Sequence, residues 1–208
     1  MKKGKPQPEI KAVLFDLGNV LVNYDIQRAV RRFAKACRVP IARIWLHFIL
    51  SQTEKAYTCG RISSYEYYRQ TSRMAKVKIP YARFRHYWND IFWENRGMEA
   101  LLQKLKKRYP LYLISNTNDM HFSHIKRNYR LLRHFKKTFP SHEVGHRKPH
   151  PEIYEHVLKA IRRKPGETVF IDDTPAFVRG ARKAGMYAVR FRDKKKLIRD
   201  LEKLGVEA

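Results

Sequence analysis

Ala12-Val-Leu-Phe15, running into Asp16-Leu-Gly-Asn19, is the stretch whose reading decides the fold. Four consecutive apolar residues suit a strand buried on both faces. The run ends at a carboxylate and a Gly-Asn turn pair, as a strand of a parallel sheet does where it passes into a loop. The same grammar returns at Leu111-Tyr-Leu-Ile114 before Ser115-Asn-Thr-Asn118, and at Thr168-Val-Phe-Ile171 before Asp172-Asp-Thr-Pro175. Helical patterns stand between and after: Ile153, Val157, Ala160 and Ile161 share one face behind His150-Pro151, and a last apolar stretch runs from Tyr187 to Phe191. Strands alternating with helices predict an open parallel α/β sheet. In such sheets ligands bind beyond the carboxyl ends of the strands.

The spacing of the three strands is uneven. About a hundred residues separate Asp16 from Ser115, whereas a simple crossover needs about thirty. Tyr24 to Arg96 reads as helical throughout: Val30, Phe33, Ala34 and Cys37 fall in helical phase with basic residues outside, followed by Ile44 to Leu50, a break at Cys59-Gly60, and an aromatic-rich stretch from Tyr65 to Trp93. The expected division is a core of residues 1–22 and 97–208, with residues 23–96 inserted as a helical cap over the strand ends. Tyr65, Tyr67, Tyr68, Tyr87, Trp88, Phe92 and Trp93 read as the packing core of that cap rather than as a stacking surface for bases.

The 208 residues carry 45 Lys and Arg against 19 Asp and Glu, a formal charge of +26. Such a field attracts phosphates, nucleic acid and anionic surfaces. The excess is spread along the chain, with a local peak from Lys104 to Lys148, so no separate basic tail accounts for it. Nucleic acid is therefore an open but not a favoured partner. Cys37 and Cys59 form no CxxC pair, which argues against a disulfide framework or zinc ribbon. The leader Met1 to Glu9 has no apolar segment, and the apolar run near Ile44 is short and broken by His47, so no membrane contact and a cytoplasmic setting are expected.

Asp16, Ser115, Lys148, Asp172 and Asp173 sit on loops that the sheet brings to one rim, and their types suit phosphoryl transfer. A carboxylate after a buried strand can take a phosphoryl group as an acyl phosphate. Paired acids opposite it can hold Mg²⁺ through oxygen, and a Ser hydroxyl, loop N–H groups and a Lys ammonium can bind the transferring oxygens. Each residue alone has an ordinary reading as a turn, cap or solvated charge. Adjacent Asp172 and Asp173 at a buried strand end have less of one, because they repel unless a cation or donors lie between them.

The order of these residues resembles the haloacid dehalogenase superfamily of hydrolases. Phe15-Asp-Leu-Gly-Asn-Val-Leu-Val-Asn-Tyr-Asp25, Ile114-Ser-Asn-Thr-Asn118, the stretch Ser141 to Leu158 around Lys148-Pro149, and Val169 to Gly185 around Asp172-Asp173 are similar to the four superfamily motifs. They look most like the phosphatase branch with a helical cap after the first motif, which includes glucose-1-phosphatase-like members. The resemblance implies a Rossmann-like parallel sheet with helices on both faces, Mg²⁺ as cofactor and an aspartyl-phosphate intermediate formed from a small phosphate monoester, with sugar phosphates favoured. It implies Asp16 as nucleophile and metal ligand, and Lys148 as partner of both nucleophile and phosphate. Ser115 and Asn116 would bind phosphate, while the Gly18 carbonyl, Asp172 and Asp173 would complete the metal site. At position 18 most family phosphatases carry a second Asp as general acid and base. Gly18 here leaves protonation of the leaving group without a named donor, which good leaving groups tolerate best.

Two other functions stay open. A 2-haloacid dehalogenase would use the same nucleophile without a cation, which the late acid pair speaks against. A weak or inactive module binding a phosphorylated ligand or nucleic acid would accommodate Gly18 and the charge. Asn23, Tyr24 and Asp25 read as substrate-facing or as hinge caps, and Asn118 as a helix cap or a contact near the leaving group. His121, His124, His142, His146 and His150 read as surface or loop histidines, since no metal-ligand spacing joins them, with a phosphate neighbour as the alternative for His146, two residues before Lys148. The oligomeric state is not legible in the chain.

Overall fold

The structure is a computed structural model that describes residues 8–208; residues 1–7, most of the basic leader, lie outside it. In chain order the elements are β1 (Ala12–Phe15), β2 (Val22–Tyr24), α1 (Ile26–Cys37), α2 (Ile41–Ile44) running on into a π turn at Trp45–Ile49, α3 (Gln52–Thr58), α4 (Ser64–Ala75), α5 (Tyr81–Asn89), β3 (Phe92–Glu94), α6 (Met98–Leu105), β4 (Leu111–Ser115), α7 (Asp119–Asn128), β5 (Lys137–Pro140), α8 (Ser141–Val144), α9 (Pro151–Ile161), β6 (Thr168–Asp172), α10 (Pro175–Lys183), β7 (Tyr187–Arg190) and α11 (Lys194–Glu202). The main sheet is five-stranded and parallel, in the order β5-β4-β1-β6-β7.

Alternate residues of the strands enter two separate cores. Val13, Phe15, Leu111, Leu113, Val169 and Ile171 pack with α6, α7 and α11. Ala12, Leu14, Ile114 and Phe170 pack with α9 and α10 on the opposite face. Both faces are covered, which is why these strands read as unbroken apolar runs. The chain passes from β1 outward to β4 and β5 and then crosses back to β6 and β7 on the other side of β1, so a crevice opens at the carboxyl end of β1.

The residues between β2 and β3 build a third core around Phe33, Phe48, Tyr67, Phe84 and Trp88. The sequence signals behind its helices are local: the Asp25 side chain caps α1, and Ser51 and Ser63 accept the backbone N–H groups of Glu54 and Glu66 to start α3 and α4. The ends of this segment are not helical as expected. Val22–Tyr24 and Phe92–Glu94 pair as a two-stranded antiparallel ribbon that carries the chain out of the sheet and back. Of the aromatics in this segment, Tyr67 and Trp88 are in the core, whereas Tyr65 and Trp93 are exposed. Among the described residues no helix is long and apolar enough to cross a membrane.

Candidate active site

Three neighbouring strands deliver the polar groups. Asp16 follows β1, Ser115 ends β4 and Asp172 ends β6, and because β1 lies between the other two their ends converge. Lys148 enters from the loop before α9, with its side chain wholly buried. Its Nζ lies 2.7 Å from Asp16 Oδ1 and 2.6 Å from Asp172 Oδ2, and donates to the Ile114 carbonyl at 3.2 Å. Asn116 fixes this lysine through its main chain: the carboxamide donates to the Lys148 carbonyl at 2.9 Å and accepts from the Lys148 N–H at 2.8 Å. The Asn116 carboxamide is thus committed to Lys148, leaving its N–H as the group available for phosphate.

Burial penalises the charges of Asp16, Asp172 and Lys148. It raises the Asp16 carboxyl above the usual carboxylate range even though Lys148 opposes the shift, and it pushes Asp172 up to about 7. For Lys148 burial pulls downward, but Asp16 and Asp172 outweigh it and hold the ammonium above its ordinary value. Asp173, partly exposed, accepts from the Asn19 carboxamide at 3.3 Å and from the Thr174 hydroxyl at 3.2 Å. Asp16, Asp172 and Asp173 each present an oxygen within 4.8 Å of the others. Three carboxyl groups face one ammonium in a largely buried cluster, and burial resists the ionisation of two of them. Hard oxygen donors whose charged forms lack compensation suit a divalent cation such as Mg²⁺, which would favour those forms.

These groups open onto a cavity of about 380 Å³ between the sheet and the helical segment. Asp16, Gly18, Ser115, Asn116, Asn118, Asp173 and Tyr24 line it, and the Ser115 hydroxyl has no hydrogen-bond partner among the described residues. The Tyr24 ring stands where a side chain at position 18 would begin: a Cβ on Gly18 would meet Tyr24 Cε1 at 2.9 Å. Asn23 and Asp25 are not part of the lining. Asn23 donates to the Glu94 carbonyl across the ribbon, at 3.5 Å, and Asp25 caps α1 and pairs with Arg31. Asn118 is both lining and cap, accepting from the His121 N–H at 3.0 Å.

His121 is not the surface histidine expected. Its Nε2 lies 3.0 Å from the Trp88 carbonyl and its Nδ1 3.1 Å from the Asn118 amide nitrogen. A carbonyl only accepts, so Nε2 carries the proton and Nδ1 accepts. Burial pushes this imidazole down to about 3, keeping it neutral. Sequence reasoning also missed Arg147, which lines the cavity 3.2 Å from Glu54 of α3. Asn19, which holds Asp173 from a left-handed backbone at φ 55°, was read only as half of a turn pair. That pair was the available signal, since Asn tolerates this conformation. For Arg147 the signal was the basic peak ending at Lys148.

A family model described as haloacid dehalogenase-like hydrolase matches residues 10–185. The chain belongs to that family. It is 28% identical over 176 residues to the D-ribitol-5-phosphate phosphatase of Bacteroides thetaiotaomicron, covering 79% of this chain and 83% of that one. The sesquiterpene phosphatase of Aspergillus oryzae is also 28% identical, over 88% of this chain and 90% of its own. Among solved structures, a haloacid dehalogenase family enzyme of Bacteroides thetaiotaomicron, crystallised with magnesium and inorganic phosphate, superposes with a TM-score of 0.80 at 30% identity, over 88% of this chain and 94% of that one.

Proposed function

We propose that this hydrolase is a magnesium-dependent phosphatase that cleaves a small phosphate monoester through a phosphorylated Asp16, with residues 23–96 acting as its cap and a reducing, cytoplasmic setting. The observation that carries the reading is the buried Asp16–Lys148–Asp172 chain, 2.7 and 2.6 Å between heavy atoms, beside the further carboxylate of Asp173. A dehalogenase needs no such surplus of carboxylate. The relatives named as phosphatases, and the magnesium and phosphate in the superposed enzyme, support the same reading.

Lys148 keeps Asp16 ionised and aimed despite its burial, so that a carboxylate oxygen can attack phosphorus in line with the leaving oxygen. Ser115 and the N–H groups of the loop after β4 receive the equatorial oxygens, where developing charge is stabilised by donors already in place. Asp16, Asp172, Asp173 and the Gly18 carbonyl would hold magnesium, which would offset the repulsion between an anionic nucleophile and an anionic ester. The helical cap excludes bulk water while the first bond breaks. Position 18 offers no proton, so the departing alcohol leaves by its own acidity or through bound water.

Phosphate release from a panel of phosphorylated sugars, nucleotides and an aryl phosphate, with Mg²⁺ or with EDTA, tests the reading. Release is expected with the metal, lost on chelation and lost in Asp16→Asn. No release across the panel at any metal contradicts it and favours a binding module. The names of the relatives span a polyol phosphate and a terpenoid phosphate, so the choice between a sugar and another alcohol falls to the cavity walls.

A further inference from the structure

We infer that the alcohol half of the substrate is apolar, an alkyl, aryl or isoprenoid group, rather than the sugar or polyol that the motifs suggest. This rests on the phosphatase reading and concerns what the cavity accepts beyond the phosphate. Away from the strand ends the walls are Ile26, Ile49, Trp88, Ile91, Phe92 and Ile125. Trp88 and His121 stack with ring centroids 5.1 Å apart, and Phe92 meets the His121 ring edge-on, so an aromatic surface faces the space.

Most of the polar atoms among these walls are already engaged with the protein. Thr58 Oγ1 donates back to the Glu54 carbonyl of its own helix at 2.9 Å. Glu54 is balanced by Arg147 at 3.2 Å. The Asn118 carboxamide and both His121 ring nitrogens are tied to each other and to the backbone. The Trp88 Nε1 has no partner but is closed off from solvent. What stays open is the Tyr24 hydroxyl, on a ring packed against Gly18 at the phosphate end, the Thr117 hydroxyl on the loop after β4, and the outer nitrogens of an arginine whose charge is already balanced. A polyol entering this space would surrender hydrogen bonds to water at each hydroxyl and find few replacements, whereas an alkyl chain would lose none and gain burial.

The test is kcat/KM with Mg²⁺ for ethyl, butyl and hexyl phosphate beside ribitol 5-phosphate and glucose 6-phosphate. All are esters of primary alcohols, so the chemical step is closely matched and the differences report the pocket. The expected result is a rise of about threefold to fourfold per added methylene, with hexyl phosphate ahead of both polyol esters. Ile49→Gln should reduce the hexyl-to-ethyl ratio, and Ile49→Ala does the same by a smaller change should the glutamine variant fold poorly. A flat series, or a polyol ester ahead of hexyl phosphate, overturns the inference while leaving the phosphatase intact. No metal-dependent release from any ester, an aryl phosphate included, overturns both.

Discussion

Gly18 and Tyr24 form a pair. The missing side chain at position 18 is matched by an aromatic ring in its place, with a Cβ-to-ring approach of 2.9 Å. Restoring the acid usual in the family therefore meets an obstacle. Gly18→Asp alone should lower phosphate release by at least about tenfold, because displacing the ring shifts the loop that bears Asp16. Adding Tyr24→Ala should recover part of that loss, and a rate gain from the single variant would contradict the pairing. His121 makes a second prediction. Its unfolded value is near 6.5 and its folded value about 3. Between these the unfolded chain binds a proton that the native state refuses, so stability is retained above the upper value and falls as pH drops through the window. The slope from this group is up to about 1.4 kcal/mol per pH unit. Urea unfolding at neutral and mildly acidic pH should show this loss in the native protein and a smaller one in His121→Gln; equal losses would show that the imidazole does not stay neutral. At this scale Asp16, Ser115, Asp172 and Asp173 were legible because each ends an apolar run. Arg147 and His121 were not, since what defines them is contact with Glu54 and Trp88, which lie 93 and 33 positions away.

Elements were legible in proportion to their burial. The strands β1, β4 and β6, buried at every residue, announced themselves. The edge strand β5, Lys137-Thr-Phe-Pro140, is exposed at its start and carries no apolar run, so nothing in its composition marked it. The β2–β3 ribbon was read as helix because each strand has three residues, too few to display a period of two. The helical segment also docks on the core at a point no local pattern reveals. The Ser141 hydroxyl at the start of α8 lies 2.6 Å from the Thr58 carbonyl and 3.0 Å from that of Thr117, and accepts from the Thr117 N–H. Next to it Gly60, at φ +70°, has the His142 carbonyl oxygen 2.0 Å from where a Cβ would lie. Gly145 has a similar φ of +82° and open space. Gly145→Ala should cost about 1 kcal/mol from backbone strain alone. Gly60→Ala should cost clearly more and lower the rate, since the carbonyl it strikes belongs to the segment holding the Thr117 loop. Thermal unfolding and turnover of the two variants check this, and equal costs would mean that the contact between segment and core yields freely.

Over the whole molecule, the parallel order β5-β4-β1-β6-β7 turns three sequence signals about 55 to 100 residues apart into one site. The fold class followed from the chain because alternation of strand and helix is local, and the handedness and adjacency rules for parallel sheets leave few arrangements. The identity of the alcohol was not legible, because it depends on which helix faces meet across the cavity. The charge of +26 belongs to this scale too, since a field of that sign attracts anions over distances at which the negative cluster at the rim is screened. All of this turns on Asp16 taking the phosphoryl group itself. The direct measurement is rapid acid quench during turnover of an aryl phosphate with Mg²⁺, followed by borohydride reduction and peptide mass analysis. The account predicts an acyl phosphate confined to the peptide containing Asp16 and absent in Asp16→Asn; full turnover with position 16 never modified, and with Asp16→Asn still active, would contradict it.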